Sequence, residues 1–125
     1  MHKSKLNAAL VDVPADRYDR VVGFWSSALG QSATFDDENP DYADLGQPVP
    51  GVQFLVQRVD DAPRVHLDIE TDDVEAEVQR LEALGATRVE QVKSWWVMRD
   101  PAGLLFCVVR IQTGEAFDAL ATTWE

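Results

Sequence analysis

The chain has 125 residues, of which 46% are hydrophobic and 26% are charged, values typical of a globular domain rather than of a disordered or fibrous chain. Its 22 acidic and 11 basic residues give a net charge of −11 at pH 7, which would repel nucleic acids and anionic membrane surfaces. No apolar run is long enough to span a membrane, and the single cysteine cannot form an internal disulfide, so we expect a cytoplasmic protein.

The first half of the sequence predicts a strand, a helix and three further strands. Residues 6–13 (LNAALVDV) predict the strand, and residues 14–30 predict the helix, with Pro14 in its opening turn and Gly30 at its C-terminal end. The apolar side of this helix is expected from residues at helical spacing: Tyr18, Val21, Trp25 and Leu29. Short runs separated by the turn-forming sequences DENP and QPVP then predict strands at residues 31–36, 41–46 and 51–59.

The second half repeats this order. Residues 64–70 (RVHLDIE) predict a strand and residues 71–85 a helix, with Asp72 and Glu75 spaced as a capping box. Three strands follow at residues 86–92, 94–99 and 104–111, the last two joined by the β-turn sequence DPAG. A strand-helix-three-strand unit therefore occurs twice, with Gly30 and Gly85 at matching helix ends.

We expect one domain over residues 1–125, in which module one covers about residues 4–60 and module two about residues 63–111. The tail, residues 112–125, predicts a short helix that packs Phe117, Leu120 and Trp124 onto the rest of the domain.

The strand at residues 64–70 alternates between apolar and polar side chains. Because alternate side chains of a strand point to opposite faces, Val65, Leu67 and Ile69 form an apolar face that we expect to be buried. His66 and Asp68 then lie on the other face, in a pocket. On this hypothesis His66→Ala should cost little stability and Leu67→Ala should cost more.

Three segments carry a resemblance to a known family. The sequence FWSSALG ends the first helix, VHLDIETDDVEAEVQRLEALGA opens the second unit and WWVMRDPAGLLFCVV closes it. With the repeat, they resemble the glyoxalase-like branch of the vicinal oxygen chelate superfamily. The resemblance implies an α+β fold in which two βαβββ modules form a cupped, eight-stranded mixed sheet, with helices on its convex side and a ligand site on its concave side.

In metal-using members of that superfamily, four side chains from the first and last strands of the two modules hold a divalent ion. His66 matches one such position, whereas Gln57 and Cys107 stand where relatives usually have glutamate. The first strand offers only Ala8, or Leu10 if the register shifts by two residues. An amide binds transition metals weakly and a structural or catalytic site needs three or four protein ligands, so we predict no bound metal.

The adjacent tryptophans Trp95 and Trp96 must face opposite ways in a strand, so that one packs in the core and the other is available to a ligand. Cys107 lies in an apolar run and is also consistent with a buried, unreactive side chain. The sequence gives no basis for assigning catalytic residues. The predicted ligand-binding residues are Gln57, His66, Asp68, Trp95, Trp96 and Cys107.

We therefore expect a glyoxalase-like protein that binds a small organic ligand, uses no cofactor and forms a homodimer. One alternative is a metal-dependent lyase, transferase or dioxygenase in which Gln57, His66 and Cys107 hold zinc, nickel or manganese. Another is a drug-sequestering protein of the bleomycin-resistance type, because a net charge of −11 would attract a cationic antibiotic.

Overall fold

The computed structural model describes residues 1–125 and has the predicted α+β fold. Two compact units are present, one formed by residues 8–65 and the other by residues 1–7 and 66–125. The first strand, β1 (His2–Pro14), contributes its beginning to the second of these units and its remainder to the first. No helix combines the length and the apolar character that a membrane crossing requires.

In the unit of residues 8–65, β1 leads through a short 3-10 turn into α1 (Tyr18–Leu29). Three strands follow along the chain: β2 (Thr34–Asp36), β3 (Asn39–Asp44) and β4 (Gln53–Val59). Strand β4 is parallel to β1 and antiparallel to β3, which pairs in turn with β2. The predicted order of a strand, a helix and three strands is therefore confirmed for this unit.

Helix α1 starts later than predicted and ends as predicted. Pro14 has an extended backbone (ψ 155°), and the next three residues form the 3-10 turn, so the α-helix begins only at Tyr18. Gly30 adopts the left-handed conformation (φ 65°) that commonly ends a helix. The helix buries Tyr18 and Val22 in a core whose other buried members are Val13, Ala43, Leu45 and Val56.

The other unit contains the second copy of this order. It comprises β5 (Arg64–Thr71), of which residues 66–71 belong to the unit, α2 (Val74–Ala83), β6 (Thr87–Val92), β7 (Trp95–Arg99) and β8 (Leu105–Arg110). Strand β8 is parallel to β5, and β7 runs antiparallel between β8 and β6. Its buried core consists of Val78, Met98, Phe106 and Val108, against which Ile69 and Trp96 pack.

The predicted capping box of α2 is wrong by one residue. Asp73 is the N-cap, and its side chain accepts a hydrogen bond from the Ala76 amide at 3.1 Å. Asp72 instead accepts the Lys3 amide at 2.8 Å, and Glu75 binds Arg88. Asp72 is thus bound to β1, which is remote in sequence, and does not cap the helix.

The tail forms the predicted short helix, α3 (Glu115–Leu120), followed by a strand that the sequence did not predict. Phe117 is buried as expected, but Leu120 is 57% exposed, so its predicted packing is wrong. Strand β9 (Thr122–Trp124) pairs antiparallel with the beginning of β1, and the Trp124 indole donates a hydrogen bond to Ser4 Oγ at 2.8 Å. The tail is therefore held by a non-local strand pair.

The prediction about the two faces of β5 is wrong at the start of the strand. Val65 is 51% exposed and Leu67 is 39% exposed, whereas His66 on the polar face is 8% exposed. The core beneath α2 includes Ile69 but does not reach these two residues. Further along the polar face, Glu70 is fully buried.

Candidate functional site

Strands β5 and β8 bring three polar side chains to one face of the sheet. Asp68 on β5 is the register partner of Cys107 on β8, and in a parallel pair such partners point to the same side. His66 precedes Asp68 by two residues and therefore shares its face. The three side chains are grouped by alternation along one strand and by the pairing of two strands.

The ligand atoms of His66, Asp68 and Cys107 all lie within 4.8 Å of one another. His66 Nε2 is 3.6 Å from Asp68 Oδ1, and the side chains of both residues are largely buried. The cluster therefore combines an imidazole, a carboxylate and a thiol with restricted access to water. Such a group can donate and accept hydrogen bonds toward a ligand, because its members differ in donor and acceptor character.

These three residue types also suit a zinc ion, which is bound in proteins by imidazole, thiolate and carboxylate. Tetrahedral ligands at the usual zinc distances are about 3.5 Å apart. The pair of His66 and Asp68 already meets that spacing, and separations of up to 4.8 Å require side-chain shifts of about 1 Å. The donor set fits a three-ligand site with one open position.

The other predicted ligand-binding residues have different surroundings. Gln57 lies on β4, in the unit of residues 8–65, where its Nε2 donates a hydrogen bond to the Tyr42 hydroxyl at 3.1 Å. Trp96 packs against the core under α2. The Arg88 guanidinium lies over the Trp96 indole, 4.8 Å from the centroid of that ring. Trp95 is half-buried on the opposite face of β7.

Trp95 lies on the face that carries Cys107. Val97, two residues after Trp95, is the register partner of Cys107 in the β7–β8 pair. Partners in an antiparallel pair point to the same side, so the indole of Trp95 and the thiol of Cys107 share a face. Trp95 and Trp96 therefore point to opposite faces of β7, as predicted. A ligand role for Trp95 stays a prediction.

Sequence reasoning missed a buried polar group on the same face of β5. Glu70 follows Asp68 by two residues, accepts hydrogen bonds from the amides of Gln112 (2.9 Å) and Thr113 (3.1 Å), and lies 3.4 Å from Lys5 Nζ. The Thr113 hydroxyl donates a further hydrogen bond to it. The polar alternation of β5 continues through Glu70 and was the available signal for this residue.

A family comparison covers most of the chain. The family of the glyoxalase-like domain matches residues 8–109. This span begins within β1 and ends within β8, so that it includes α1, α2 and all the predicted site residues but not α3. No curated protein sequence matches the chain significantly.

Solved structures share the fold at low sequence identity. A hypothetical protein from Bacillus halodurans has a TM-score of 0.65 and 13% identity, with 87% of this chain and 95% of that chain covered. The Mn(II)-bound glyoxalase from Novosphingobium aromaticivorans has a TM-score of 0.62 and 19% identity, with coverages of 88% and 40%. Methylmalonyl-CoA epimerase from Mycobacterium tuberculosis has a TM-score of 0.55 and 17% identity, with coverages of 86% and 87%.

Proposed function

This chain belongs to the glyoxalase-like domain family of the vicinal oxygen chelate superfamily, and we propose that it binds a small organic molecule on the sheet face that carries His66, Asp68 and Cys107. The observation that supports this proposal is the convergence of the three side chains within 4.8 Å at largely buried positions. Polar groups that converge in a largely apolar surrounding are typical of small-molecule sites.

The residues have distinct roles in this proposal. His66 and Asp68 orient the ligand by hydrogen bonds, and the thiol of Cys107 and the indole of Trp95 contact its apolar part. Gln57 is proposed as a further ligand contact through its amide. A compound with carbonyl or hydroxyl groups fits such a site, because either group can accept a hydrogen bond from the imidazole and a hydroxyl group can also donate one to the carboxylate.

We propose that this binding needs no metal. At the four positions that the family resemblance implies, Ala8 supplies a methyl group and Gln57 a neutral amide. Cys107 replaces a carboxylate at the third position, which leaves His66 as the only residue of the usual type. The chain thus offers a weaker ligand set at these positions than one with histidine and glutamate at each of them.

A thermal-shift screen of small carbonyl and hydroxyl metabolites tests the proposal. We expect a compound that raises the Tm of the wild-type protein equally with and without EDTA, and that no longer does so in His66→Gln. The matched control is Gln112→Ala, which alters a neighbouring polar residue outside the predicted site. A stabilising compound whose effect survives both His66→Gln and Asp68→Asn would contradict the proposed binding face.

A second candidate is a metal-dependent lyase, transferase or dioxygenase, and the spacing of the cluster favours it. His66, Asp68 and Cys107 fit a zinc-type donor set after small side-chain shifts, with Gln57 as the ligand expected from the sequence. A metal bound there would polarise a carbonyl oxygen of the substrate. Elemental analysis of untagged protein purified without chelator separates the candidates, because only this one predicts stoichiometric zinc, nickel or manganese that His66→Ala removes.

We also propose that the protein is a cytoplasmic homodimer without nucleic-acid or membrane partners. The net charge of −11 supports the exclusion of polyanionic partners. Leu67 and Leu104 are candidates for the interface, because burying their exposed apolar side chains would remove apolar surface from water.

A further inference from the structure

The unit that contains α2 has a cavity of about 720 Å³ beside the first turn of this helix. Trp96, which packs in the core under α2, lines this cavity, so the cavity lies on the side of the sheet opposite to His66. We propose that this α2 cavity is a second binding site, for a small organic anion with an aromatic body. The site is independent of the function proposed above.

Two cationic side chains at the α2 cavity have no ion-pair or hydrogen-bond partner. Lys93, in the turn between β6 and β7, and Arg110, at the end of β8, both line the cavity and are exposed. In a chain with a net charge of −11, two unpaired cations around one cavity are available to an external anion. A guanidinium favours carboxylate and phosphate because it presents a planar fork of donors.

The acidic side chains at the same cavity are already engaged. Glu75 is bound through both of its oxygens by Arg88, at 3.0 and 2.5 Å. Asp72 accepts the amide of Lys3 and remains the one carboxylate of the lining without a cationic partner. The ion pair neutralises Glu75, so the charges left at the cavity are two positive and one negative.

The backbone at Lys93 has an uncommon conformation. Its φ is 51°, and it is the only non-glycine residue of the chain with a positive φ. Glycine or asparagine adopts this conformation at a lower cost than a long side chain. Lysine is therefore a less favourable residue for this turn than glycine or asparagine.

The apolar part of the lining defines the rest of the ligand. Val74, Trp96 and Ile111 contribute hydrocarbon and indole surface to the same cavity. A volume of about 720 Å³ is in the range of small-molecule sites and exceeds what an inorganic anion fills. An aromatic ring can pack on these side chains while its carboxylate or phosphate contacts the two cations.

Phenyl phosphate is a suitable probe, and amide NMR spectra of isotope-labelled protein can follow its binding. We expect saturable shifts at the amides of Lys93, Ser94 and Ile111 and at the Trp96 indole, with a Kd of about 1 mM. Arg110→Gln and Lys93→Asn should each weaken binding about fivefold, and added salt should weaken it further. Asparagine is chosen because it tolerates the left-handed turn.

The controls separate this site from the one proposed above. Arg20→Gln removes an exposed charge from α1 and should leave the Kd unchanged, as should His66→Ala. Phenol and inorganic phosphate should each bind at least tenfold more weakly than phenyl phosphate. Equal affinity for either fragment, equal weakening by Arg20→Gln, or shifts confined to His66 and Cys107 would overturn the proposal.

Discussion

His66 illustrates how burial reverses an expectation based on strand alternation. The side chain is 8% exposed and its Nε2 lies 3.6 Å from Asp68 Oδ1, whereas Leu67 is 39% exposed. A histidine in this position contributes to stability as well as to any ligand contact, because its neighbour is a largely buried carboxylate. The structure therefore leads us to expect the opposite order of stability losses for His66→Ala and Leu67→Ala.

We predict that His66→Ala lowers the free energy of unfolding by about 1 to 3 kcal/mol, because it empties a largely buried position beside the Asp68 carboxylate. In the monomer, which low salt should favour, Leu67→Ala should cost about 1 kcal/mol, since much of the leucine is in water there. Urea unfolding of both variants measures the difference. A greater loss for Leu67→Ala would show that its exposed surface is covered in the protein in solution.

Glu77 is a fully buried carboxylate that is held by Arg80 and His2. Burial raises its pKa, but hydrogen bonds from Arg80 (two at 2.9 Å) and His2 (2.7 Å) outweigh this effect, and the net pKa lies below the ordinary value of 4.5. A carboxyl group with a lowered folded-state pKa stabilises the fold above its unfolded pKa. That stabilisation is lost as the pH falls through the lowered value.

We therefore predict that Glu77→Gln lowers the free energy of unfolding by about 1.5 to 3 kcal/mol at neutral pH. The difference from wild type should shrink as the pH falls from 4.5, where the carboxyl of the unfolded chain takes up a proton, toward the lowered pKa of the folded state. Urea unfolding at several pH values measures this, and Glu90→Gln, at an exposed position, is the matched control. A difference that does not vary with pH would contradict the role given to the charge.

Among the elements, β9 is stabilised by contacts with the beginning of β1 and with α2. Trp124 is the register partner of His2, its indole donates to Ser4 Oγ, and the Arg80 guanidinium lies 3.8 Å from its ring centroid. Arg80 also binds Glu77, so β9 and α2 share one charged group. These contacts connect the tail to the beginning of β1.

We predict that Trp124→Ala lowers the free energy of unfolding by about 2 kcal/mol, the sum of a hydrogen bond and a cation–π contact. Leu120→Ala, at an exposed position of α3, should cost less than about 0.5 kcal/mol. Thermal and urea unfolding of the two variants tests the prediction. Similar losses in both would mean that β9 adds no more than the exposed end of α3.

The elements that the sequence predicted well are those with local signals. Helix α1 ends at Gly30 and α2 buries Val78 because periodicity and helix-end glycines are contained within each segment. Strand β9 has only three residues and depends on pairing with His2–Ser4 at the other end of the chain, so no local pattern indicates it. The cap of α2 is Asp73, one residue later than predicted, and Asp72 is bound to Lys3, a residue that no local pattern relates to this helix.

The candidate site was predicted in part because its residues alternate along one strand. His66 and Asp68 are two residues apart on β5, and the register of β8 places Cys107 beside Asp68. The burial of this face could not be predicted, because Lys5, Gln112 and Thr113 bury Glu70 from distant segments. Strand patterns give the direction of a side chain and not what covers it.

At the scale of the whole molecule, charge and exposed apolar surface act in opposite directions on self-association. Each chain carries a net charge of −11, which opposes the approach of a second copy. Leu67 and Leu104 are 39% and 46% exposed, and burying them against a partner would favour association. Salt screens the first effect and leaves the second, so the proposed homodimer should strengthen with ionic strength.

We predict that light scattering at micromolar concentration gives a mass near twice the 13.9 kDa of one chain, and that low salt shifts the protein toward the monomer. Leu67→Lys should produce the monomer at all salt concentrations, because it places a charge in the proposed interface. Leu120→Lys adds the same charge at an exposed site of α3 and should remain dimeric. A wild-type mass close to 13.9 kDa at high salt would rule out the homodimer, and equal dissociation by both variants would show that net charge, rather than the surface at Leu67, controls association.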